Sequence, residues 1–211
     1  MTYDLGASYR AARERLSALV AAHGPALDRT VPATPDWTVH DVLAHVAGVA
    51  HDAATGNMAG APGDEWTAAQ VARGRGQSAD ALVPLWAQHA PTLEALLSGP
   101  NGAMASAAVM DIHCHEADVR HALGLAAELP TEFLAWAGAA MRDRLAQQVA
   151  EADLPPVSVQ ASDFEWFRGR LGRRTAQEVS AYSWSADPAA YLDLFFIFGR
   201  ATRPLGEAQQ A

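Results

Sequence analysis

The 211-residue chain is half hydrophobic and carries a formal net charge of −9. That composition suffices for one compact domain, or one domain with a small appendage. The acidic balance excludes nucleic-acid binding as a main function, which needs clustered Lys and Arg, and the lone Cys114 excludes a disulfide framework or a multi-cysteine zinc knuckle.

A single cysteine fits a reducing compartment. The N-terminal MTYDLGASYRAARERL has acids and no apolar stretch, so it does not read as a signal peptide. Nowhere is there a run of roughly eighteen apolar residues of the kind that spans a membrane. The expectation is a cytoplasmic protein with neither a membrane nor a nucleic-acid partner.

Residues 3–23 predict an amphipathic helix. Leu5, Tyr9, Ala12, Leu16, Leu19 and Val20 fall near one face, with Arg10, Arg13 and Glu14 elsewhere. GPALDRTVPATPDW, with Pro32 and Pro35, reads as a connector. Thr38 then caps a helix that runs to about Gly56. Asp41 sits at its third position, and Trp37 and Val42 are placed for a hydrophobic staple. A Gly/Pro-rich segment (56–63) and a short helix (64–77) follow.

Ser78 caps a long helix containing Pro84 and Pro91, and GPNG (99–102) is a turn. The next helix covers about 104–123 with Gly124 just past its end, and Thr131 caps another. Long helices with mostly short connections predict a mainly α fold, an up-and-down four-helix bundle over 1–153. After LPP the pattern changes. VSVQA reads as a strand, SDFEWFRGRLG and TAQEVSAY as short helices, and DPAAYLDLFFIFG as an apolar segment. This is a small mixed extension over 154–211, packed on the bundle.

The chemistry concentrates in VMDIHCHEADVRHALG (109–124). At about 100° per residue, His115, Asp118 and Cys114 share a sector with Asp111. Met104 and Ala108 also fall there, so the sector is expected to face the interior. His113, Glu116 and Arg120 point to the other side and read as a solvated face. His121 reads as a residue favoured by the helix C-terminus. Cys114 reads most simply as a small buried apolar residue.

An inward carboxylate and imidazole at i and i+4 either pair with each other or bind a metal. His45, on the capped helix, shares a sector with Asp41, Val49 and Asp52 and also faces the core. His45, Asp111 and His115 on two facing helices form the set that a His₂-carboxylate site requires. Three protein ligands leave one position open, as in catalytic sites. The set suits Zn²⁺, with Ni²⁺, Fe²⁺ and Mn²⁺ as alternatives. Asp41, Asp52 and Asp118 are candidates to orient the ligands from behind.

PDWTVHDVLAHVAG and DIHCHEADVRHALG resemble two motifs of the DinB-like metalloprotein superfamily, most closely its mycothiol-dependent maleylpyruvate isomerase branch. There a Trp-Thr segment leads into a helix with LLxHxAG, here VLAHVAG with His45. A later helix reads ExxxHxxDxAxALG, here with Asp111, His115 and Asp118 at the acidic and histidine positions. FEWFRGRLGRRTAQEVSAYSW and DPAAYLDLFFIFG are similar to the tail of many members. The likeness covers nearly the whole chain.

The resemblance implies a four-helix bundle holding one divalent metal, usually zinc, on His45, Asp111 and His115. It also implies mycothiol as a cosubstrate whose thiolate adds to a small electrophile. The chain departs from the pattern at Asp111, where glutamate is usual. Arg168, Arg170, Arg173 and Arg174 either bind anionic groups of a thiol or acid substrate, or pair with the acidic body. Three functions remain open: a metal-dependent thiol transferase or isomerase, a metal-dependent hydrolase using bound water, and a non-catalytic metal-binding stress protein. The sequence leaves monomer and homodimer equally open.

Overall fold

The computed structural model describes residues 3–207, so the expected domain limits at 1 and 211 lie outside the described residues. The fold is mainly helical, in two compact units that divide between Ala127 and Glu128.

The first unit opens with α1 (Leu5–Ala22). Asp4 caps it, accepting from the Ala7 N–H at 3.0 Å. Leu5, Tyr9, Ala12, Leu16 and Val20, three or four residues apart, form its buried stripe. In place of the expected connector, the chain next forms a small antiparallel pair, β1 (Thr30–Val31) with β2 (Thr34–Thr38). Pro32 and Pro35 hide it in the sequence. Pro32 lies in the turn and Pro35 early in a very short strand, where a missing N–H costs little.

β2 runs straight into α2 (Val39–Thr55). Thr38 Oγ1 accepts from the Asp41 N–H at 3.2 Å, and Asp41 Oδ2 accepts from the Thr38 N–H at 3.0 Å. This reciprocal cap fixes where α2 starts, and therefore which of its residues face inward. Gly56, at φ 75°, ends it. α3 (Asp64–Arg75) packs on α2, and α4 (Ala79–Ser98) continues through both Pro84 and Pro91. Each proline forfeits a backbone hydrogen bond. Burial of Leu82, Trp86, Ala90, Leu93 and Leu97 keeps the helix in place despite that loss.

α5 (Ala107–Ala122) is shorter than expected. Residues 102–105 form a separate 3-10 turn, and Met104, expected to face the interior, is 87% exposed there. Gly124 takes the left-handed conformation after α5, with the Leu125 N–H bonded to the Arg120 carbonyl at 2.8 Å. The bundle is made by α1, α2, α4 and α5, each packed on two of the others.

The second unit begins with α6 (Thr131–Glu151). The expected boundary at 153/154 counted this helix with the bundle. Instead its buried face, Phe133, Ala137, Met141, Leu145 and Val149, packs on α7 (Asp163–Arg170) and α9 (Leu192–Phe195). Phe133 meets Phe167 edge-on, with centroids 4.9 Å apart. β3 (Val159–Gln160) pairs with β4 (Ser183–Trp184), and α8 (Ala176–Ser180) lies between α7 and β4 in sequence. Among the described residues no helix is long and apolar enough to cross a membrane.

Candidate metal centre

α2 and α5 pack side by side and bring His45, Asp111 and His115 together. His45 Nε2 is 3.2 Å from Asp111 Oδ2, and His115 Nε2 is 3.4 Å from Asp111 Oδ1. The imidazoles meet edge-on with centroids 5.1 Å apart. One ligand atom from each of the three residues lies within 4.8 Å of the others, so the group can hold a metal ion.

Both histidines are buried, while the Asp111 side chain is 35% exposed, which gives the site an opening. Burial alone would raise the Asp111 pKa, but the two facing imidazoles hold its carboxyl well below the usual carboxylate range. Burial likewise opposes charge on His115. Asp111 and Asp118 overcome it and push His115 up to about 9. Even the short side chain of an aspartate thus reaches both rings.

The far sides of the two rings are held differently. His45 Nδ1 is 2.8 Å from Gln70 Oε1 on α3. His115 Nδ1 is 3.2 Å from Asp118 Oδ2, one turn further along α5. Trp37, at the end of β2, covers both rings. Its ring centroid is 5.3 Å from that of His45 and 5.8 Å from that of His115, with its plane inclined 29° to the His115 ring. The donor set therefore fits a divalent cation: two imidazoles with Nε2 converging on one carboxylate, backed by groups that orient the rings.

The other candidate residues lie elsewhere. Asp41 closes the α2 cap and accepts from Arg75 at 2.8 and 3.1 Å, so it stabilises the helix start and orients no ligand directly. Asp52 is fully buried and reaches His45 only through Gln70, whose Nε2 donates to Asp52 Oδ2 at 2.9 Å. Cys114 is buried and is not one of the three convergent residues. No sequence pattern points to Gln70, one of several polar residues in a helix with only Val71 as a large buried apolar side chain.

The face read as solvated is buried. His113 and Glu116 have no exposed surface. Arg15 of α1 grips Glu116 with two bonds of 2.8 and 2.7 Å, and Arg120 adds a third at 3.3 Å. His113 Nδ1 donates to the Val109 carbonyl at 2.8 Å. α5 thus has α1 on one side and α2 on the other, and periodicity alone could not show that its second polar face had a partner.

The arginines of 168–174 are engaged within the second unit. Arg168 pairs with Glu207, and Arg174 pairs with Glu165 at 2.8 Å and Glu207 at 2.7 Å. Arg170 donates to the Leu194 and Phe195 carbonyls and to Gln148. Arg173 donates to the Leu171 carbonyl. Of the two readings of this cluster the geometry favours pairing, in a buried network rather than at the surface. Binding of anions by Arg168, Arg173 or Arg174 would first have to break it.

Residues 9–105 match the family described as the mycothiol maleylpyruvate isomerase N-terminal domain. That stretch of the chain belongs to this family. The match runs from α1 into the 3-10 turn before α5. It contains Trp37, His45 and Gln70 and stops short of Asp111 and His115. Searches of curated proteins and of solved structures find no match.

Proposed function

We propose that the chain is a metal-dependent S-transferase or isomerase that uses a low-molecular-weight thiol, mycothiol, against a small electrophile in the cytoplasm. The observation that carries this reading is the convergence of His45 Nε2, His115 Nε2 and the Asp111 carboxylate on one point, in a chain carrying the mycothiol maleylpyruvate isomerase N-terminal domain.

His45, Asp111 and His115 would hold a divalent cation, with zinc the best fit to two imidazoles and one carboxylate. Such a cation supplies the positive charge that lowers the pKa of a thiol taking its open position. The residues do the rest. Gln70 and Asp118 keep the imidazoles aimed, Trp37 shields them from water, and the part-exposed Asp111 edge leaves a way in for thiol and electrophile. A thiolate held there adds to an electron-poor carbon. With a conjugated alkene the former double bond can rotate, and expulsion of the thiolate gives the isomer. With a leaving group the product is a thioether.

The test is to incubate zinc-loaded protein with mycothiol and maleylpyruvate, omitting each component in turn. Conversion that needs both zinc and thiol supports the proposal. Cleavage of ester or amide substrates without thiol would replace it with hydrolysis by bound water.

A further inference from the structure

Behind His45 lies a buried polar chain that reaches the surface. Asp52 has no exposed surface and accepts from four side chains. These are Gln70 Nε2 at 2.9 Å, Asn57 Nδ2 at 3.0 Å, Arg73 Nη2 at 2.7 and 2.8 Å, and His51 Nδ1 at 3.2 Å. Burial alone would raise its pKa, but Gln70, Asn57, Arg73 and His51 hold it below the usual carboxylate range, so Asp52 is ionised. An ionised carboxylate can only accept. Gln70 must therefore turn its amide NH₂ toward Asp52, which leaves Oε1 facing His45. That oxygen can also only accept, so His45 must carry a proton on Nδ1. The lone pair of the neutral ring is then on Nε2, the nitrogen that faces Asp111.

We propose that Gln70, set by Asp52, is a positioning residue that fixes the Nδ1–H tautomer of His45 and so makes its Nε2 available as a ligand. The packing of α3 supports this. A Cβ on Gly48 of α2 would lie 2.6 Å from the Gln70 Cβ, and one on Gly74 of α3 would lie 2.2 Å from the Ala44 Cβ. Contact at these two glycines lets α3 come close enough to deliver the amide. With Gln70 only 1% exposed, water has little room to substitute for it.

The inference rests on His45 being a metal ligand, and the test separates the two claims. Zinc affinity is measured by competition with a chromophoric chelator for wild type, Asp52→Asn, Gln70→Met, the double variant Asp52→Asn/Gln70→Glu, and His45→Ala. In Asp52→Asn the new amide offers both a donor and an acceptor, so Gln70 is free to flip and His45 to change tautomer. Loss of such an orienting partner typically weakens metal binding roughly 10–100-fold. That loss is expected for Asp52→Asn and Gln70→Met. In the double variant the introduced carboxylate can only accept, from the new amide on one side and from His45 on the other. Most of the affinity is then expected to return, which a merely structural role would not produce. Nitrogen NMR of the zinc-loaded wild type is expected to show the His45 proton on Nδ1, a result independent of how the variants fold. Equal affinity in wild type, Asp52→Asn and Gln70→Met, or a His45 proton on Nε2, overturns the inference and leaves the metal centre standing. Zinc binding no tighter in wild type than in His45→Ala overturns the metal centre, and this inference with it.

Discussion

His45 Nε2 and Asp111 Oδ2, 66 residues apart in the chain, lie 3.2 Å apart where α2 packs on α5. Neither residue is informative alone. Together with His115, one turn from Asp111, they make the single place among the described residues where three such groups converge.

Replacing either histidine with alanine is expected to abolish zinc retention, and Asp111→Asn to weaken it severely by removing the negative charge that faces both rings. Zinc content per chain after gel filtration checks this. Unchanged content in both histidine variants would remove the site. Asp111→Glu should retain zinc, because the longer side chain keeps the negative charge and both donor oxygens beside the two rings.

Trp37 packs against both imidazoles, so zinc binding should change its fluorescence. The change is expected in wild type and should largely disappear in Trp37→Phe, which leaves the remaining five tryptophans as background. A zinc-dependent change of equal size in Trp37→Phe would place the responding ring elsewhere.

The reciprocal cap at Thr38 sets the register of α2. Thr38→Ala should destabilise the protein by about 1 kcal/mol, the usual cost of losing such a cap. Urea unfolding measures it. No loss of stability would mean that packing alone holds the helix start.

Glu165 and Glu207 sit in the arginine network of the second unit. Burial works against both charges, but Arg174 and Arg168 hold both carboxyls below their ordinary 4.5. Unfolded, both return to that value. They contribute stability above about pH 4.5, and it is lost as pH falls through the lower folded values. Glu165→Gln should cost about 3 kcal/mol at neutral pH, as breaking a buried pair does. It should also flatten the loss of stability on acidification, followed by circular dichroism. A variant as acid-sensitive as wild type would contradict this account.

Much of the centre is legible in the sequence because a helix repeats every 3.6 residues. Asp111 and His115 fall four apart, and His45 lies among the apolar residues of a well-capped helix. What cannot be read there is what packs against what. Glu116 reads as solvated because its partner, Arg15, is on another helix. α6 reads as part of the bundle because it follows α5 closely, yet its apolar face belongs to Phe167 and its neighbours. Gln70 carries no periodic signal at all. It matters only because Gly48 and Gly74 let α3 approach α2.

The central claim is that His45, Asp111 and His115 hold a cation that takes up a thiol. Cobalt-substituted protein titrated with mycothiol tests it most directly. A sulfur-to-cobalt charge-transfer band should grow to saturation with one thiol per bound cobalt, and should be absent in His115→Ala. Cobalt bound at this site with no such band at saturating thiol would contradict the claim.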